Sequence, residues 1–181
     1  MSDLTEQPTR PADSRVRLAF ITEPAQANFH GTLHGGVLLK LADECGAIAA
    51  LRHAGEGRIT TAAIDSFTFL GPVHVGELVD VAAEVTHVGR TSLEARIEIH
   101  AESLPHAKRR KVAVGYGLYV ALDAEGKPRA VPPLRLETEA DFRRDAAARS
   151  RQAVRLARRA EAKEESFTAE IAERKTATEE D

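Results

Sequence analysis

The sequence predicts an α+β fold, one long helix laid against an antiparallel sheet. Three observations predict it. The run His34–His53 (HGGVLLKLADECGAIAALRH) is apolar through nearly its whole length and too long for a strand. From Ile59 onward the hydrophobic period changes to two, in four successive segments. The connections at Gly89-Arg90 and Ser103–Arg110 are short enough to join antiparallel neighbours. A helix and a sheet that each carry an apolar surface bury it against one another.

Residues 1–13 are polar and hold Pro8 and Pro11, so a disordered arm is expected there. Val16–Ile21 is a short apolar run and reads as the first strand, and 22–32 is a loop with Pro24, Asn28 and Gly31. The helix is expected from about Gly35 to His53, closed by His-Ala-Gly-Glu-Gly at 53–57. Ile59–Phe69 is rich in Thr, Ile and Phe, and Gly71-Pro72 breaks it. Leu78–Val88, Leu93–Ala101 and Val112–Leu122 alternate apolar with polar or small residues. The α+β domain is thus placed over 14–136. Residues 137–165 are rich in Ala, Arg and Glu and predict a C-terminal helix, followed by a frayed acidic tail over 166–181. Between Arg149 and Arg159 stand five arginines and no acid, which suits either a solvated helix face or a patch that meets phosphates.

Composition narrows the function. A chain of 181 residues with a net charge of −3 argues against a general nucleic-acid or membrane binder. One cysteine, Cys45, permits no internal disulfide, and in mid-helix among Ala and Gly it suits a small buried hydrophobe. The seven histidines show no metal-ligand spacing, so neither a metal nor a cofactor is expected. There is no signal-peptide pattern and no membrane-length apolar run, and the expectation is a cytoplasmic protein.

The chemistry concentrates in the helix. Gly35-Gly36 at its start leaves backbone amides suited to an anion or a developing oxyanion, or simply makes a tight turn. Asp43 and Glu44 interrupt an apolar run where an acid is costly unless partnered. They diverge by about 100° around the helix, and Lys40 reaches one of them as an ion pair. Asp43 is then either a structural acid or the base of a site. It lies two turns beyond Gly36 on the same face, about 10 Å along the axis, too far for both to act on one carbonyl. Two such helices packed antiparallel about a two-fold axis would bring Gly36 of one chain near Asp43 of the other.

The segments NFHGTLHGGVLLKLADECGAIAALRH, TFLGPVHVGELVDVAAEV and GRTSLEARIEI together resemble the hotdog-fold acyl-CoA thioesterases, nearest to the cytosolic or brain-type long-chain acyl-CoA hydrolases and their bacterial relatives. The resemblance covers about 14–136, and VPPLRLETEADFRR is similar to the C-terminal extension of that group. It implies a sheet wrapped around the central helix and dimers with sites at the subunit interface, often in trimers of dimers. It implies hydrolysis of acyl-CoA to a free acid and CoA. On this resemblance Asp43 is the catalytic carboxylate, as base or nucleophile, and Gly35 and Gly36 polarise the thioester carbonyl. His34, Arg58 and the Arg90-Thr91-Ser92 turn are expected to contact substrate. Thr32 stands where relatives carry a second active-site Asn or Asp, a departure that leaves a weakly active acyl-CoA sensor as an alternative. A hydratase or dehydratase on this fold would want a catalytic His, and His34 at the loop end fits that poorly.

Overall fold

The computed structural model describes residues 9–179. Strand β1 (Val16–Ile21) is followed by helix α1 (Gly35–Ala54), then β2 (Arg58–Phe69), β3 (Leu78–Val88), β4 (Ser92–Ser103), β5 (Lys108–Leu122) and helix α2 (Glu139–Glu179). All sheet pairings are antiparallel and the strand order is β1-β3-β4-β5-β2. This is the predicted hotdog fold, with α1 packed on one face of the five-stranded sheet.

The packing explains the apolar helix. Leu38, Ala42, Cys45, Gly46, Ala49, Ala50 and His53 turn inward and are buried. They meet Val79, Val81, Ile97, Ile99 and Val112 at one end of the sheet, and Val85, Leu93, Tyr119 and Ala121 at the other. With few aromatics, small residues on α1 let helix and sheet approach closely. The opposite side of α1 leaves Ile48 and Leu51 about 40% exposed, although a helix apolar all round is normally covered on both sides. Strand β2 is a sheet edge whose residues are exposed or half-buried on both faces.

Three boundaries differ from expectation. Strand β5 begins at Lys108 rather than Val112, because 108–111 continue the ladder opposite His100–Ser103. The arm expected over 1–13 falls mostly outside the described residues. From Thr9 the chain is structured: Thr9 bridges Leu134, and Pro11–Ser14 form a 3-10 turn with Pro11 and Ser14 buried. Helix α2 runs to Glu179, past the expected end at 165, since helix-favouring Ala, Glu and Lys continue through the acidic segment. The chain divides into two compact units, one up to Asp145 and one from Ala146, the latter being the remainder of α2.

One half-buried ion pair sets the approach to α1. The Glu77 carboxylate accepts two bonds from Arg110, both 2.7 Å, and one from the His74 amide at 2.8 Å. The same loop accepts the Leu33 amide on the Val73 carbonyl and pairs His74 with Thr32, just before the helix. The Arg110 guanidinium holds the Glu77 carboxyl below its ordinary range, against the opposing effect of burial. A lowered folded pKa gives stability that is present above the unfolded carboxyl pKa and lost as pH falls through the folded one. Glu77→Gln, which weakens the Arg110 pair, should cost about 1–3 kcal/mol at neutral pH. In urea unfolding, the gap between wild type and variant should shrink below about pH 4. A gap that stays constant from neutral pH into acid would refute this linkage.

Candidate active site

The helix start is built from backbone and one imidazole. His34 takes an extended conformation as N-cap, and its Nδ1 accepts the Gly36 amide at 2.9 Å. The accepting Nδ1 leaves the proton of a neutral ring on Nε2. A Cβ on Gly36 would stand 2.9 Å from that Nδ1, so the missing side chain is what lets the ring fold back. The Gly36 amide, expected to face a substrate carbonyl, is thus engaged by the exposed His34. Gly35 sits beneath Phe69, where a Cβ would lie 3.1 Å from the ring. Beside it opens an apolar hollow of about 470 Å³, lined by Leu33, Leu38, Phe69, Leu70, Pro72 and Val73.

The two acids of α1 separate cleanly. Glu44 is exposed and pairs with Lys40 at 3.7 Å. Asp43 is half-buried, and its Oδ1 accepts a 2.8 Å bond from the Thr61 hydroxyl on β2. Among the described residues no ion pair reaches Asp43. Tyr119, fully buried on β5, donates its hydroxyl to the Asp43 backbone carbonyl at 3.2 Å. The carboxylate that the sequence singled out is therefore held by one neutral hydroxyl and its backbone carbonyl by a second, with no cation paired to it among the described residues.

The remaining candidates fall into two groups at opposite ends of α1. Thr32, His34, Gly35 and Gly36 surround its start. Arg90, Thr91 and Ser92 form the β3–β4 hairpin, next to the sheet end packed on Ala50 and Ala54. Arg58 donates to the carbonyls of Asp123 and Ala124, at 3.4 and 3.0 Å, and so steadies the turn after β5. Arg90 is exposed, and its carbonyl accepts the Val131 amide. Seven residues of unbroken helix keep Asp43 from the glycine pair within one chain.

Sequence reasoning missed three residues. Asn28 is half-buried and organises the loop before α1: its Oδ1 accepts the His30 and Thr32 amides, and its Nδ2 donates to Thr32 Oγ1 at 3.0 Å. An Asn three residues ahead of Gly31, which has φ +75°, was the available signal. Thr61 and Tyr119 carried none, because strand register alone aims them at Asp43. Cys45 is sealed, with its Sγ 3.5 Å from the Val81 carbonyl, and burial pushes its thiol up to about 11. That environment suits the inert hydrophobe expected of it. None of the described helices is long and apolar enough to cross a membrane.

Comparisons place this arrangement among known proteins. The family model described as Thioesterase superfamily matches residues 30–106. The cytosolic acyl coenzyme A thioester hydrolase of Mus musculus is 32% identical over 143 residues, 78% of this chain and 37% of that protein. The chain thus spans little more than a third of the length of that relative. The acyl-CoA hydrolase from Staphylococcus aureus, solved with butyryl coenzyme A, coenzyme A and coenzyme A disulfide, is 33% identical with a TM-score of 0.80, covering 87% of this chain and 96% of that one. It has also been solved as Asn28Ala, Asp43Ala and Thr60Ala variants, in that enzyme's own numbering. A structure described as an apo-hexameric acyl-CoA thioesterase is 33% identical with a TM-score of 0.80, covering 84% of this chain and 97% of that one. With this fold, these identities and near-complete coverage of the solved relatives, the chain belongs to the hotdog-fold acyl-CoA thioesterase family.

Proposed function

We propose that the chain hydrolyses acyl-CoA thioesters to a carboxylic acid and CoA, in a site shared between two copies. The observation that carries this reading is Asp43: a half-buried carboxylate in an apolar helix, held by the Thr61 hydroxyl and, among the described residues, paired with no cation. Acting as base, Asp43 takes a proton from water as the water oxygen attacks the thioester carbonyl. The carbon–sulfur bond then breaks and the departing thiolate takes up a proton. Acting as nucleophile, its carboxylate attacks the carbonyl carbon and the carbon–sulfur bond breaks, CoA leaving as a thiolate that takes up a proton; water then cleaves the resulting anhydride to the free acid and the Asp43 carboxylate. A thioester carbonyl is electrophilic and its thiolate leaves readily, so one base and one oxyanion donor suffice.

The donor comes from the start of α1 in a second copy. Packing two α1 helices antiparallel sets the Gly35-Gly36 amides of one chain near Asp43 of the other. It also brings the Arg90–Ser92 end of one chain beside the hollow of the other, so that CoA and acyl chain lie along one interface. The edge strand β2, with Ile64 and Phe69 41% and 49% exposed, and the uncovered face of α1 provide the surface. Trimers of such dimers match the hexameric description of the solved relative. When His34 swings off Gly36, the amide is released toward the carbonyl. Asn28, rather than Thr32, is assigned as the second polar residue, with the Thr32 hydroxyl orienting its amide. Two of the substituted residues of the Staphylococcus aureus enzyme, Asn28 and Asp43, are fifteen apart, as Asn28 and Asp43 are here. The hollow beside Gly35 receives the acyl chain, while His34, Arg90, Thr91 and Ser92 meet the CoA moiety.

The deciding experiment follows thiol release from a series of acyl-CoAs of increasing chain length, with binding measured in parallel. Steady turnover of at least one chain length is expected. Tight binding with no thiol release would replace hydrolysis with acyl-CoA sensing.

A further inference from the structure

We propose that Tyr119 is a positioning residue for Asp43, forming with Thr61 a two-point clamp that fixes the carboxylate from the sheet. This rests on the reading of Asp43 as the reacting carboxylate. Thr61 on β2 and Tyr119 on β5 are directly paired across the sheet, so their side chains leave the same face side by side. One hydroxyl holds the Asp43 carboxylate at 2.8 Å and the other holds its backbone carbonyl at 3.2 Å. The ladder slips immediately after Thr61, between Thr61 and Ala63, so the register that makes this pair ends at the clamp itself.

Two glycines create the space. A Cβ on Gly46, one turn after Asp43, would stand 2.1 Å from the Tyr119 hydroxyl oxygen, and one on Gly117 would stand 2.4 Å from it. Room for a phenol tip has thus been cleared from both helix and strand. Core filling alone would be served by phenylalanine, yet the residue carries a hydroxyl, buried and aimed at the one helical carbonyl that belongs to Asp43. Burial, and after it the Asp43 charge, raise the Tyr119 pKa and keep the phenol a donor. A helical carbonyl already accepts one amide along the helix, and its second lone pair accepts the phenol. Tying that carbonyl fixes the turn from which the carboxylate projects, while Thr61 fixes the rotation of the carboxylate. Small errors in the placement of a reacting group cost large factors in rate.

The test is Tyr119→Phe in the full chain, assayed by thiol release at saturating acyl-CoA. The expected result is a kcat lowered about tenfold with KM within about twofold and little change in Tm. Incorporation of 4-aminophenylalanine at 119, which restores an N–H donor, should recover most of the rate. In an Asp43→Ala background the same change should leave the residual rate untouched. A residue that only fills the core would be served equally by phenylalanine and would leave kcat alone, and wild-type kcat in Tyr119→Phe, at whatever Tm, overturns the proposal. So does a tenfold loss that persists in the Asp43→Ala background. Wild-type kcat in Asp43→Ala itself would show separately that the carboxylate assignment had failed, and the clamp with it.

Discussion

Asp43→Ala is expected to lower kcat for acyl-CoA hydrolysis by a factor of about 10²–10⁴ while KM stays close to wild type. The magnitude follows from the role. A general base that accepts the proton of attacking water has no substitute nearby, since Glu44 points away and is spent on Lys40. Stability should change little, because the variant loses a carboxylate whose one described side-chain partner is an exposed hydroxyl, not a buried cation. Sedimentation should show an unchanged oligomer, and circular dichroism an unchanged fold. Asp43→Asn, which keeps the shape and accepts the Thr61 bond, should be as slow. If it were fast, orientation rather than basicity would be the contribution of Asp43. Wild-type turnover in the alanine variant would remove Asp43 from the mechanism.

Ile64→Lys should abolish turnover through assembly rather than chemistry. Ile64 lies on the β2 edge and is 41% exposed, so a lysine there costs the isolated protomer little. Across a packed interface the same ammonium would be buried without a partner, a penalty of several kcal/mol. A dimer with micromolar or weaker affinity would dissociate at assay concentrations. Ultracentrifugation should then report monomers, and activity should fall by about a hundredfold or more, in proportion to the dimer lost. A monomeric variant that keeps full kcat would overturn the shared site. A stable dimer with full activity would move the interface away from β2.

The architecture was legible because each element is locally consistent. An apolar run opening on two glycines and ending in a left-handed Gly55 can be little other than a buried helix, and the alternation in β3 and β4 fixes which face is inward. The start of β5 was hidden because Lys-Arg-Arg-Lys at 108–111 reads as a turn, whereas in the paired strand Arg109, Arg110 and Lys111 meet Asp80, Glu77 and Glu98. Of the site, Asp43 was legible because an acid in an apolar helix needs a reason. Its clamp was not: Thr61 lies 18 residues away and Tyr119 lies 76, and only β2–β5 register brings them together. Thr32 drew attention through the family pattern, while Asn28, which bonds to it, passed as an ordinary loop residue.

The sealed Cys45 has a consequence for the chemistry around it. The proposed reaction sheds a thiol at every turnover, and free thiols exchange with any accessible disulfide or thiolate partner. Cys45 is the chain's one cysteine, has no exposed surface and keeps its proton up to about pH 11. On the proposed function, the protein is a redox bystander to the thiol it releases. Cys45, sealed and protonated, offers CoA or CoA disulfide no thiolate with which to exchange, so accumulating product would slow the proposed reaction by occupying the site.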